Sequence, residues 1–179
     1  MKLIVLRCPS CNNSLAPGED DLVIACGQCG AGVAIDDEGL RPIELRFAAR
    51  GAAGATQWQP WWIFTGRVQI DQRETQSGNR REDALKFWSQ PRLFFVPAWE
   101  LSLQALRRDG LELLKKQPQL QAIPRPAKVQ LAPAVISAAD ARKMLEFLVL
   151  ALEAGRDDWL KSLNFKIEVG EPELWALGG

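Results

Sequence analysis

The chain has no histidine and no tyrosine among its 179 residues, and its 22 basic and 22 acidic side chains leave no net charge. Without histidine it lacks the side chain most often used as a general base near neutral pH and the commonest nitrogen ligand for metals. Without net charge there is no global electrostatic case for nucleic acid or an anionic membrane as partner. Long apolar runs are missing as well: LFFVPAW, from Leu93, and FLVLAL, from Phe147, fall far short of the roughly 20 residues a membrane span needs. The opening MKLIVLRCP offers one lysine and four consecutive apolar residues, too few for the core of a secretory signal. These absences predict a cytoplasmic chain with no transmembrane segment. At 47% apolar residues the composition is nonetheless enough for one ordinary domain plus a small appendage.

The strongest signal present is the placement of the cysteines. Cys8 and Cys11 are two residues apart, as are Cys26 and Cys29, with fourteen residues between the pairs. Two residues between thiolates let a tight turn aim both sulfurs at one ion about 2.3 Å away, and a second such turn completes a tetrahedron. The turn chemistry agrees. Asn12 and Asn13 follow the first pair and Gly27 and Gly30 bracket the second, all types that tolerate positive φ. Between the pairs, LAPGEDDLVIA reads as strand, Pro-Gly turn, strand, and GVAI supplies a third short strand. The spacing thus predicts a zinc ribbon over residues 1–40, with Cys8, Cys11, Cys26 and Cys29 holding one structural zinc.

Rival uses of four cysteines differ in what else they require. Paired disulfides belong to oxidising compartments, which the opening residues do not point to. A rubredoxin-like iron centre for electron transfer also uses four thiolates. Such centres usually sit under aromatic cover, and residues 1–40 contain no aromatic side chain. A nucleic-acid-binding ribbon needs clustered Lys or Arg. Here residues 1–40 carry two basic and six acidic side chains, a net of −4, and the hairpin tip is Glu19, Asp20, Asp21. What remains is a brace, in which zinc supplies on the order of 10 kcal/mol of folding energy to a unit too small for its own core.

Residues 41–179 read as an α+β domain with a Trp-rich strand. RPIELRFAAR alternates Ile43, Leu45, Phe47 against Glu44 and Arg46, one half-buried strand. After the small-residue loop GAAGATQ, WQPWWIFTGRVQI puts Trp58, Pro60, Trp62, Phe64, Val68 and Ile70 on one face. Trp61 and Ile63 interrupt the polar face opposite, which predicts cover on both sides at that end. DQRETQSGNRR reads as a polar loop, ALKFW as a short helical turn, and the unalternating RLFFVPAW as a central strand whose pairing Pro97 ends. Two main helices follow. One spans SLQALRRDGLELLKKQP, interrupted by Gly110; the other runs from the N-cap Ser137 to the stop at Gly155. KVQLAPAVI, NFKIEV and PELWAL are further strands, giving a mostly antiparallel sheet. The Arg41-Pro42 junction joins a ribbon and a body expected to unfold separately.

Catalysis would have to proceed without histidine and without a free thiol. Four thiolates close the coordination shell that a catalytic zinc keeps open, and no phosphate loop or nucleophile elbow is present. Asp157 and Asp158 read as a solvated pair, and no catalytic residue is assigned. A four-cysteine ribbon followed by PWWIF and then VPAW resembles a loose group of uncharacterised bacterial zinc-ribbon proteins, some encoded beside phage-shock-type membrane-stress components. That resemblance implies an adaptor in a larger assembly. The expected function is therefore a non-catalytic module or assembly subunit that binds another protein. Its candidate contact residues are Trp61, Ile63 and Trp99 with the tip acids Glu19, Asp20 and Asp21.

Overall fold

The computed structural model describes residues 6–36, 38–49, 57–99, 102–126 and 130–178. The first five residues, most of GAAGATQ and the start of KVQLAPAVI lie outside them. The chain builds two sheets and a set of short helices, an α+β fold. A three-stranded antiparallel sheet comes first: β1 (Val23–Ala25), β2 (Gly32–Asp36) and β3 (Gly39–Ile43). Six strands form the larger sheet: β4 (Leu45–Ala49), β5 (Gln57–Thr75), β6 (Arg92–Pro97), β7 (Gln130–Leu131), β8 (Leu160–Val169) and β9 (Glu173–Gly178). The helices are α1 (Arg81–Trp88), α2 (Leu103–Ala105), α3 (Leu111–Lys116), α4 (Ala138–Lys143) and α5 (Leu145–Ala154), with a π-helical turn, Leu106–Gly110, joining α2 to α3. Among the described residues no helix is long and apolar enough to cross a membrane.

Two local expectations change in the small sheet. The segment after Leu15 is not a strand. Arg7 bridges Ser14 once, and the chain then enters a loop in which the Asp21 carboxylate accepts the Gly18 N–H at 2.7 Å, a side-chain bond that competes with strand pairing. RPIELRFAAR is likewise not one strand. It divides at Glu44, with Gly39–Ile43 pairing β2 and Leu45–Ala49 running parallel to β9, Leu45 beside Leu174. Continuous alternation is compatible with both halves, because periodicity does not report which sheet a residue joins.

β5 organises the larger sheet. β8 and β9 lie end to end along one of its edges, Thr75 opposite Leu160 and Trp58 opposite Gly178, and β6 pairs the other edge from Trp61 to Gly66. The polar loop DQRETQSGNRR is correspondingly shorter than its composition suggests, since β5 continues to Thr75. RLFFVPAW is an end strand of the sheet path, not a central one. It lacks alternation because Phe94, Phe95 and Val96 are all fully buried by layers on both faces. Part of its free edge is satisfied by a side chain: the Gln117 amide accepts the Leu93 N–H and donates to the Leu93 carbonyl, both at 2.9 Å.

Both faces of β5 are covered at its tryptophan end, as expected from the sequence. Trp62, Phe64 and Val68 join Leu145, Leu148, Val149 and Leu152 of α5. On the opposite face Trp61 and Ile63 pack with Phe95, Leu113, Trp175 and Leu177. Gly110 permits the close approach of the π-turn to β6, since a Cβ there would stand 2.6 Å from the Phe95 carbonyl oxygen. The second helix begins at Ser137, whose hydroxyl oxygen accepts the Asp140 N–H at 3.0 Å, and it breaks at Met144 into α4 and α5.

The small sheet is joined to the body by more than the chain. Val23 and Ala34 belong to the same apolar cluster as Trp62, Ile136 and Leu148. Ala134 accepts the N–H groups of Leu22 and Val23 and donates its own to Val23, at 2.8 to 3.1 Å. A ribbon that unfolds alone would have to expose this shared core, so the joint opposes the separate unfolding expected from the short junction.

Candidate metal centre

Each cysteine pair sits on a backbone turn built by the same bonds. The N–H four residues after the first cysteine returns to that cysteine's carbonyl, Asn12 to Cys8 and Gly30 to Cys26, both at 2.8 Å. The N–H of the first cysteine reaches the carbonyl five residues on, Cys8 to Asn13 at 2.8 Å and Cys26 to Ala31 at 2.9 Å. Both turns need a left-handed residue at the same place, supplied by Asn12 (φ 60°) and Gly30 (φ 74°). Asparagine and glycine are the residues that adopt it most readily. Asn13 and Gly27, offered by the sequence for the same purpose, are not in this region.

The two turns bring all four Sγ atoms within 4.8 Å of one another, Cys8 to Cys29 and Cys11 to Cys26 at 3.7 Å. An ion 2.3 Å from four tetrahedral sulfurs sets them about 3.8 Å apart. Two opposite edges of the cage already have that length and the rest lie within 4.8 Å, so the four cysteines are placed where they could hold a metal ion. Leu15 and Val33 are buried against Cys8 and Cys26, a small apolar floor beneath the sulfurs.

Electrostatics within the cage favour a cation. The Asn13 side-chain amide donates to the Cys11 sulfur at 3.4 Å. With Asn13's backbone N–H, it lowers the Cys11 thiol to about 6. The Ala31 N–H favours the Cys29 thiolate too, but competition with the Cys11 sulfur, burial and the remaining sulfurs push Cys29 up to about 11. Thiolates this close repel one another, and a divalent cation removes the conflict. Outside the cage, Arg125 lies against the second turn: a Cβ on Gly30 would fall on its guanidinium. Glycine is required there twice over, for its φ and for that contact.

The other residues singled out in the sequence are dispersed. Trp61 is wholly buried and Ile63 is 3% exposed, so neither offers a contact surface; this corrects their reading as contact residues. They break the polar face of β5 because a second apolar layer packs there. Trp99 is half-buried against Trp61, ring centroids 4.8 Å apart. Glu19 and Asp20 are exposed at the tip, while Asp21 is engaged in its own loop.

A buried ionic cluster went unrecognised in the sequence. Asp157 is solvated, but Asp158 is 2% exposed and grips the Arg73 guanidinium through two bonds of 2.6 and 2.7 Å. Arg73, together with the Arg80 N–H, holds the Asp158 carboxyl down to about 2. Arg73 also donates to Glu153 at 2.9 Å; Glu153 further accepts the Trp88 indole N–H and two bonds from Arg156. The sequence carried no signal for it: Arg73 lies off the inward phase of Val68 and Ile70 and is turned into the core by the bulge between Ile70 and Gln72, and nothing in the local pattern pairs it with residues 80 positions away. Trp159, 71% exposed, was likewise passed over. No family model, curated protein or solved structure matches the chain.

Proposed function

We propose that the chain is a zinc-ribbon adaptor or assembly subunit, non-catalytic, in which one structural zinc holds the cysteine cage and another protein is the partner. The observation that carries this reading is the cage: four protein sulfurs within 4.8 Å of one another, floored by apolar side chains, would fill all four positions of a tetrahedral ion and leave none for substrate or water. The buried carboxylates, Glu153 and Asp158, are committed to Arg73 and Arg156 and are out of reach of any substrate. The exposed acids Glu19 and Asp20 beside the ribbon favour a protein over a phosphate backbone. When bound, zinc would supply the cross-link that fixes both turns. Cys8, Cys11, Cys26 and Cys29 would hold it, Asn13 would stabilise the Cys11 thiolate, and Asn12 and Gly30 would set the turn geometry.

Metal analysis of the purified chain, with a nucleic-acid binding assay at graded salt, tests the reading. Near one zinc per chain and no retention of nucleic acid at low salt is the expected result. Iron with visible absorbance would replace the brace by an electron-transfer centre. Binding to nucleic acid that weakens steeply with salt would replace the adaptor by a nucleic-acid-binding ribbon.

A further inference from the structure

β8 is a ten-residue strand bonded to β5 on one side only, and among the described residues no strand pairs its outer edge. The Gly170 N–H donates to the Thr65 carbonyl at 3.0 Å. In an antiparallel ladder that phase turns the backbone groups of Val169, Ile167 and Phe165 away from β5, leaving a row of free donors and acceptors. The side chains of Leu163, Phe165, Ile167 and Val169 lie on the core face yet stay only half-buried. They line an open groove of about 770 Å³ whose other wall is Arg142, Leu145 and Glu146. The strand contains no proline; the bulge near Ile70 falls on β5, and the one irregularity on β8, at Lys161, lies at its far end, so the edge from Ser162 to Val169 is regular enough to template a further strand.

We propose that the occupant of this edge is β8 of a second copy of the chain, paired antiparallel about a two-fold axis at Phe165. The strand's own sequence is the reason. With the axis there, each Lys166 faces the other copy's Asn164, each Glu168 faces its Ser162 and each Lys161, at the bulged end, faces its Val169, so no like charges meet. Moving the axis to residue 166 sets Lys166 against itself, and moving it to 164 sets Glu168 against Leu160. β4 closes the outer edge of β9 from Leu174 onward, so the open edge is β8 itself, and a central axis uses its full length. The core faces of the two copies then align, and the half-buried rows continue into one another beneath both copies of α5. This pairing is isologous, so it closes at a dimer, and it stands independently of what the cysteine cage holds.

Sedimentation of the full chain at rising concentration, with amide exchange at each concentration, tests it. The expected result is a monomer–dimer equilibrium in which the amides of Phe165, Ile167 and Val169 gain protection as dimer forms. Asn164→Lys, on the exposed face and away from the core, places a lysine opposite Lys166 twice and should weaken the dimer about tenfold. Adding Lys166→Glu should restore it. A chain that stays monomeric throughout, or a dimer that Asn164→Lys leaves unchanged, overturns the proposal. So does β8 protection that appears only when a different protein is added, which would assign the edge to that protein.

Discussion

Replacing Arg73 by methionine removes the one cation that both buried carboxylates share while keeping most of the side chain's volume. The side chains of Arg73 and Glu153 are 0% exposed and that of Asp158 is 1% exposed, so water cannot take over the lost bonds. The losses are unequal. Glu153 retains Trp88 and both bonds from Arg156, whereas Asp158 retains, among the described residues, only the Arg80 N–H. Most of the penalty therefore falls on Asp158. Breaking a buried pair by removing one partner costs about 3–5 kcal/mol, a large share of the roughly 5–15 kcal/mol that holds a typical domain folded. With a urea slope of about 2 kcal/mol/M, the unfolding midpoint should fall by about 2 M. Acid titration supplies the second reading. Because Arg73 lowers the Asp158 pKa in the folded state to about 2, the pair contributes stability at pH values above the ordinary carboxylate value of about 3.9. That contribution is lost as pH falls through about 2. Arg73→Met should flatten this acid dependence as well as lower the midpoint. The triple change Arg73→Met, Glu153→Gln, Asp158→Asn should recover part of the loss, since no charge is then stranded among these three. A midpoint shift below about 0.5 M for Arg73→Met, with the wild-type acid profile intact, would refute the reasoning.

Cys26→Ser should abolish stoichiometric metal binding and, through the joint at Val23, Ala34 and Ala134, lower the unfolding midpoint of the whole chain rather than melt the ribbon alone; amide exchange would show protection lost at Ala134 and Ile136 as well as in β1 to β3. Gly110→Ala drives a methyl to 2.6 Å from the Phe95 carbonyl, and the resulting shift of the π-turn should cost about 1–3 kcal/mol in denaturant unfolding.

The cysteine cage was legible because its determinants are local: two short turns, each with the residue that its left-handed position demands. The long strand was legible for a related reason, since the alternation of Trp58, Trp62, Phe64 and Val68 and its interruption at Trp61 and Ile63 report burial directly. What alternation does not carry is the identity of the neighbour. The division at Glu44 depends on whether β2 or β9 lies alongside, and β9, at Glu173–Gly178, is remote from it in the sequence. Trp61 shows the same limit in another form. A tryptophan on the polar phase is equally consistent with a contact surface and with a second core layer, and only the placement of Leu113, Trp175 and Leu177 decides for the core. Asp158 was hidden because two adjacent aspartates read alike, although their side chains leave the backbone in different directions, one to solvent and one to Arg73.

The pairing of Leu45 with Leu174 and of Trp58 with Gly178 has a consequence for the order in which the protein is made. The cysteine turns use only residues up to Ala31, which leave the ribosome well before β9, and a metal could close them as soon as Ala31 emerges. The larger sheet cannot complete until its last strand is synthesised, because β9 is inserted between β4 and β5. During translation the ribbon would therefore be finished first, with the apolar side chains of Val23 and Ala34 waiting for Ile136 and α5. Late closure of a sheet by its final strand is the step at which such a chain is slowest and most open to association with others.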